Sequence, residues 1–161
     1  MKARYSKEID RLYLQMYPML FEYARSSLSN DALAEEAVQD TFTIACQKPE
    51  ALCDSPNPKG WLVNTLKNVI SNTIRKQSIA KRIFLDYVAA NVKDISASPD
   101  RVGLEILYDD IADLEEFKLL KEMALDGRSY LEMAEERGIT VSTCRKRVER
   151  AKKVLQKKIR L

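Results

Sequence analysis

The chain of 161 residues contains no histidine. Because histidine is the commonest general base in enzymes and the commonest zinc ligand, its absence argues against the most frequent catalytic and metal sites. Glycine occurs only four times, and the sequence has no glycine-rich loop that could cradle a phosphate group. No pair of carboxylates has a spacing that predicts a catalytic pocket. We therefore expect a protein that is not an enzyme and that uses neither a cofactor nor a metal ion.

Cysteine is also scarce, with Cys46, Cys53 and Cys144 forming an odd number without metal-ligand spacing. We interpret Cys144 as a small core residue and the other two as reduced thiols. The sequence has no run of about eighteen apolar residues, and its first residues lack the apolar centre of a signal peptide. These features predict a cytoplasmic protein without a membrane span.

The net charge of +3 conceals an uneven distribution of charge. From position 141 to the end there are nine basic residues and one acid, Glu149, which is a net charge of +8 and leaves −5 for the rest. A basic C-terminal segment in an otherwise acidic chain indicates two kinds of partner, a nucleic acid for the basic segment and a protein for the rest.

Residues 129–155 predict two helices joined by a tight turn. Ser129 and Glu132 have the spacing of a capping box, Gly138 suits the turn, and Thr140 can cap the second helix. Four positions of the second helix recur at the spacing of a buried stripe: Cys144, Val148, Ala151 and Leu155. Its other faces carry six basic residues: Arg145, Lys146, Arg147, Arg150, Lys152 and Lys153. This pattern is typical of a helix-turn-helix that enters the major groove, and a solvated basic face is the alternative.

Three helices are predicted upstream, over residues 4–28, 32–47 and 59–76, with a helical extension over 78–90. Pro18 should cause a kink or short break in the first helix. A loop is predicted over residues 49–60, in which Asn57 caps the third helix and Pro58 takes its first position.

Two polar groups in these helices have an unusual pattern. Glu36 and Asp40 are four residues apart on one helical face with Gln39 beside them, and like charges at this spacing need solvent or a basic partner. A row of asparagines recurs every four residues in the third helix: Asn64, Asn68 and Asn72. Asparagine is a mediocre helix former, but its amide can contact base edges. For both groups a plain solvated face is the alternative.

The remaining segments complete an all-α chain of two small helical domains. Residues 91–100 are polar, small and proline-containing, which predicts a linker. A helix is predicted over 101–112, and Asp113 with Glu116 predicts a capping box for a helix over 114–126 that ends at Gly127. The predicted domains are residues 1–90 and 101–161.

These motifs, taken in order, resemble those of an extracytoplasmic-function (ECF) sigma factor of the sigma-70 family. The segment AEEAVQDTF is similar to the region two-point-two helix, and NPKGWLVNTLKNVISNTIRK is similar to the segment that reads and opens the minus-ten element. The pair LLKEMALDGRSYLEMAEERGIT and STCRKRVERAKKVL resembles the region-four helix-turn-helix that reads the minus-thirty-five element. The resemblance covers about residues 12–155.

The resemblance implies three groups of site residues. The core-polymerase-binding group comprises Glu36, Gln39, Asp40 and Thr43. The minus-ten group, in which the loop 57–60 receives a flipped base, comprises Asn57, Lys59, Asn64, Lys67, Asn68, Asn72, Arg75 and Lys76. The minus-thirty-five group comprises Thr140, Ser142, Thr143, Arg145, Lys146, Arg150 and Lys153. In this last group Arg150 and Lys153 are expected at phosphates. Trp61 could stack on a base, but its helical phase favours core packing.

The function implied by the resemblance is that of a transcription initiation factor. Its expected partners are core RNA polymerase, promoter DNA and an anti-sigma factor. Two alternatives come from other classes of protein. A helix-turn-helix regulator that acts without polymerase would leave the acidic face and the asparagine row unexplained, and a sigma-mimicking interaction adaptor would not need the basic helix.

Overall fold

The computed structural model of the protein describes residues 2–91 and 115–160, and all its regular secondary structure in these ranges is helical. The fold is therefore all-α, as predicted. The helices are α1 (Lys2–Leu28), α2 (Asp31–Gln47), α3 (Pro49–Cys53), α4 (Pro58–Asn91), α5 (Glu115–Ala124), α6 (Tyr130–Arg137) and α7 (Val141–Arg160). The predicted linker, the helix predicted over 101–112 and the start of the helix predicted at 114 lie outside the described residues.

The chain forms two compact units, Met1–Arg75 and Lys76–Leu161. The sequence predicts a first domain that ends at residue 90, whereas the contacts divide the chain inside α4. Four buried residues beyond this point belong to the core of the second unit: Ala80, Ile83, Phe84 and Tyr87. The end of α4 thus packs with the helices that follow it in the chain.

The core of the first unit is built from α1, α2, α3 and α4. Helix α1 contributes buried side chains at helical spacing: Ile9, Leu12, Met16, Leu20 and Ala24. The helix continues without a break through Pro18, where the sequence predicts a kink or short break. Pro18 and Leu14 are both exposed. Solvent can therefore hydrogen-bond to the Leu14 carbonyl, which loses its usual donor at Pro18.

The segment before α4 contains a short helix, whereas the sequence predicts a loop over residues 49–60. This helix is α3, which starts at Pro49, a position where the missing proline N–H costs nothing. Leu52 is fully buried and fixes α3 against α1 and α2. Asn57 then caps α4 as predicted, because its Oδ1 accepts a hydrogen bond of 3.1 Å from the Gly60 N–H.

Helix α4 is one continuous helix of 34 residues, about 51 Å long. The sequence pattern predicts a helix over 59–76 and a helical extension from 78 in this segment. No proline or glycine follows Gly60 within the helix. The chain therefore has no local reason to interrupt the hydrogen bonds between these two parts.

The second unit contains the helix-turn-helix predicted from the sequence. Ser129 and Glu132 form a reciprocal capping box on α6, with Glu132 N–H to Ser129 Oγ at 3.0 Å. Gly138 ends α6 with φ +64°, a left-handed conformation that glycine adopts without a steric penalty. The four predicted stripe residues of α7 are all fully buried, which confirms that prediction: Cys144, Val148, Ala151 and Leu155.

Replacement of Phe84 tests the contribution of α4 to the second core. Phe84 is 1% exposed, whereas its neighbour Leu85 is 48% exposed. Phe84→Ala should destabilise the second unit by about 3–5 kcal/mol, and Leu85→Ala by about 0.5 kcal/mol or less. With Cys46 and Cys53 replaced by serine, the rate at which a thiol reagent modifies the fully buried Cys144 measures opening of this unit.

Trp61 provides an internal control, because it is the only tryptophan and packs against the core of the first unit. Its fluorescence change in urea should be the same in the parent and in Phe84→Ala. Equal rates of Cys144 modification in Phe84→Ala and Leu85→Ala would contradict the assignment of Phe84 to the second core.

Candidate nucleic-acid and protein interfaces

The outer face of α2 carries the four residues that the resemblance assigns to polymerase binding. We call Glu36, Gln39, Asp40 and Thr43 the acid–amide face. Gln39 and Thr43 are exposed, but Glu36 and Asp40 are half-buried, whereas a plain solvated face would expose all four. The difference arises because both carboxylates lie at the edge of the face, next to the buried side of the helix. The two acids are therefore less hydrated than a fully exposed pair.

Hydrogen bonds within α2 hold the centre of this face. The Thr43 hydroxyl donates to the Gln39 carbonyl at 2.9 Å, and the Gln39 amide donates to Glu35 Oε1 at 3.5 Å. Beside Glu35 lies the partly buried ring of Tyr17. Burial raises the pKa of the Tyr17 hydroxyl, and the negative charge of Glu35 adds to the increase. Tyr17 also contacts the rings of Tyr13 and Phe21, so Glu35 lies beside a row of three aromatic rings on α1.

The eight residues of the predicted minus-ten group are all exposed in the structure: Asn57, Lys59, Asn64, Lys67, Asn68, Asn72, Arg75 and Lys76. The asparagines at 64, 68 and 72 follow one another along α4, because four residues make slightly more than one helical turn. Trp61 is only partly buried and packs against the core of the first unit. The structure therefore supports core packing for this ring.

Asn57 is held in place at the start of α4. Its side-chain oxygen caps the helix, and a Cβ atom at Gly60 would clash with its amide nitrogen. A glycine at position 60 therefore allows this capping geometry, which leaves the Asn57 NH₂ group outside the cap.

The predicted minus-thirty-five group lies at the start and along the outer side of α7. Exposed members are Thr140, Ser142, Arg145, Lys146, Arg150 and Lys153, while Thr143 is half-buried. Thr140 Oγ1 accepts a hydrogen bond of 3.1 Å from the Thr143 N–H, and the two hydroxyl oxygens are 2.8 Å apart. Thr140 thus caps α7, and its hydroxyl donates to that of Thr143 in the first turn. The Arg145 guanidinium lies 5.4 Å from the centre of the Tyr130 ring, which links α7 to α6 by a cation–π contact.

One basic residue of α7 departs from the predicted outer face. Lys152 is buried, with 8% of its surface exposed, and its Nζ donates to Glu149 Oε1 at 3.2 Å. The aliphatic part of the Lys152 side chain is buried next to the apolar stripe, and its ammonium group forms an ion pair with the exposed Glu149. Arg147 is half-buried. The exposed cations of the helix are therefore fewer than the sequence predicts.

An ion-pair network in the second unit was not found by the sequence analysis. The Arg137 guanidinium is 2.7 Å from Glu115 and 2.9 Å from Glu122, and Arg128 pairs with Glu122 and Glu136. Burial alone would lower the pKa of Arg137, but its hydrogen bonds to the two glutamates raise it above the usual value. Arg128, Glu132 and Glu136 recur at four-residue spacing, which is the sequence signal that could have indicated part of this network.

Comparison with known proteins shows two similarities in sequence. Residues 12–79 match the family model of sigma-70 region 2. The ECF RNA polymerase sigma factor SigL of Mycobacterium tuberculosis, from the Erdman, CDC 1551 and H37Rv strains, is 26% identical over 152 residues, which cover 90% of this chain and 85% of SigL. The chain is therefore similar to sigma-70 proteins over region 2, and to an ECF-type sigma factor over most of its length.

A solved structure with the description "RsbN-BldN complex" aligns with 97% of this chain and 94% of its own chain, at 18% identity and a TM-score of 0.40.

No helix within the described ranges is long and apolar enough to cross a membrane. The described side chains also contain no cluster of three or more histidine, cysteine, aspartate or glutamate residues that could hold a metal ion.

The Arg137 ion pairs predict a measurable stabilisation. Arg137→Ala should lower the free energy of unfolding of the second unit by about 1–3 kcal/mol, because the half-buried carboxylate of Glu122 loses its 2.9 Å hydrogen bond to a guanidinium. The matched control is Arg150→Ala, which removes an exposed arginine from the same unit and should change stability by about 0.5 kcal/mol or less. Urea unfolding detected through Cys144 modification measures both values, and equal stabilities would contradict a stabilising role of the network.

Proposed function

We propose that the protein is a transcription initiation factor of the cytoplasm that binds bacterial core RNA polymerase, directs it to promoters and helps to melt them. The observation that carries the proposal is the match to sigma-70 region 2, because residues 12–79 include both the acid–amide face and the amide row of α4. The chain would contribute binding energy and no covalent chemistry. An anti-sigma factor is a further proposed partner.

The acid–amide face has the chemistry of a docking site for a basic protein surface. Gln39 and Thr43 are exposed at its centre, and the half-buried carboxylates of Glu36 and Asp40 lie beside them. An arginine or lysine of the partner would meet these carboxylates in surroundings less polar than bulk water, where the attraction between opposite charges is stronger. This arrangement supports the assignment of the face to core polymerase.

The amide row of α4 suits an unstacked DNA strand better than a duplex. Successive amides at 64, 68 and 72 are about 6 Å apart along the helix axis, because each residue adds about 1.5 Å. Nucleotides in a B-form strand are spaced by about 3.4 Å. One amide for each nucleotide therefore requires an extended strand, in which bases are available for amide contacts while Lys67 and Arg75 neutralise phosphates.

Helix α7 has the properties of a recognition helix for duplex DNA. Ser142, Arg145 and Lys146 are exposed in its first two turns, the part of such a helix that contacts base edges in the major groove. Arg150 and Lys153 are exposed farther along, where contacts to phosphates are expected. We assign the minus-thirty-five element to this surface.

Run-off transcription tests the proposed function. Purified core polymerase with this protein should produce transcripts from fragments of the source genome that core polymerase alone does not produce. Gln39→Arg combined with Thr43→Arg should lower the affinity for core polymerase at least tenfold, about 1.4 kcal/mol, because it puts positive charge on a face that meets a basic partner. The same transcripts should then be lost.

The matched control for this test is Gln15→Arg, which changes an exposed glutamine to arginine on α1. It should leave both polymerase binding and transcription unchanged. Circular dichroism verifies that each variant is folded. Unaltered core affinity in the folded double variant would refute the docking assignment, and an absence of protein-dependent transcripts would refute the function.

The neighbouring lysines 152 and 153 separate DNA binding from packing. Lys153→Ala should reduce the slope of log affinity against log salt concentration by about 0.9, because one phosphate contact is lost. Lys152→Met keeps the buried stem and should leave this slope unchanged, since its amine already pairs with Glu149. Titration of duplex DNA with the full-length variants at several salt concentrations measures the slopes. Equal slopes for the two variants would contradict the proposed orientation of α7.

A further inference from the structure

A basic stripe at the start of α1 has no part in the proposed surfaces. Arg4, Lys7 and Arg11 lie at positions i, i+3 and i+7 of one helix, so they share one face. All three are exposed, whereas Ile9 and Leu12 on the opposite side are buried in the first core. The stripe also lies before residue 12, where the match to sigma-70 region 2 begins.

The three cations differ in how far nearby carboxylates neutralise them. Arg11 is paired with Glu8 through hydrogen bonds of 2.6 and 3.3 Å. Among the described residues, Arg4 and Lys7 take part in no salt bridge with a carboxylate. An open hollow on the surface is lined by Ala3, Arg4, Lys7, Glu8 and Arg11. The hydrogen bond from Arg11 lowers the pKa of the Glu8 carboxyl and Arg4 helps to lower it, but within the described ranges Arg4 and Lys7 are the two residues of this stripe that no salt bridge holds.

Hydrogen bonds connect this end of α1 to the start of α4. The Tyr5 hydroxyl donates to Asp54 Oδ2 at 3.4 Å, and Tyr5 is the chain neighbour of Arg4. Asp54 is followed by Ser55, whose Oγ accepts a hydrogen bond of 3.2 Å from the Asn57 N–H. The end of α1 that carries the basic stripe is thus connected, through Tyr5 and Asp54, to the short segment that leads to Asn57.

We propose that Arg4 and Lys7 bind the phosphate backbone of the DNA strand where it continues beyond Asn57. Two long, flexible cations that line an open hollow are suited to phosphate contacts, which need charge but no fixed base sequence. The inference rests on the proposed function in one respect, which is that a DNA strand follows α4.

Other anionic partners fit the same surface less well. A protein partner would be expected to bury apolar or aromatic side chains, but Ala3 is the one apolar residue among those that line the hollow. A membrane-surface helix needs an apolar face open to lipid, whereas Ile9 and Leu12 of α1 are buried in the core.

Fluorescence anisotropy with a labelled single strand of about twenty thymidine nucleotides tests the inference on the full-length protein. Because the expected contacts are to phosphates, they do not require the promoter sequence. Arg4→Ala combined with Lys7→Ala should weaken binding and reduce the slope of log affinity against log salt concentration by about 1.4, which is about 0.7 for each lost phosphate contact. The charge-conserving variant, Arg4→Lys with Lys7→Arg, should retain the original slope. Circular dichroism should be the same for all three proteins.

Equal slopes for the double alanine variant and the original protein would overturn the inference. It would also be overturned if the double variant kept its affinity for the oligonucleotide but lost affinity for core polymerase without DNA, or for vesicles that contain phosphatidylserine. Because the oligonucleotide assay contains no polymerase, its result is separate from the transcription test. A protein that fails to support transcription can therefore be distinguished from one in which Arg4 and Lys7 do not bind phosphate.

Discussion

Burial of one side of helix α4 is the constraint on which much of this structure depends. Leu62 and Leu66 are fully buried in the first core, and Phe84 and Tyr87 are buried in the second. Because one side of this part of α4 is buried in the first core, the polar residues of 64–76 lie on the solvent side, where a nucleic-acid strand can contact them.

The second unit shows how local and long-range interactions combine in a small binding module. The capping box at Ser129, the left-handed Gly138 and the Thr140 cap satisfy backbone groups where α6 ends and α7 begins. The buried stripe from Cys144 to Leu155 fixes the rotation of α7. Glutamates of α5 and α6 pair with Arg128 and Arg137, so acidic groups near α7 are neutralised within the unit.

The proposed function follows from a separation of chemical roles along the chain. Acidic and amide groups on α2 suit a basic protein surface, amides on α4 suit unpaired bases, and cations on α7 suit the grooves and phosphates of a duplex. The basic stripe of α1 would add a contact that depends on charge alone. Each of these contacts changes a binding equilibrium, and together they could favour an opened promoter over a closed one.

The sequence by itself determined the helical class, the caps at Asn57, Ser129 and Thr140, and the buried stripe of α7, because each of these depends on residue type and on spacing within one segment. Tertiary structure decided features that depend on neighbours. Periodicity puts Lys153 opposite the buried stripe of α7 and Lys152 at its edge, and only the packed structure shows that Lys152 is buried. In the same way, packing decided that Glu36 is half-buried and that Phe84 belongs to the second core. Periodicity specifies which side of a helix is apolar, but the extent to which its edges are covered depends on the shape and position of the elements packed against it.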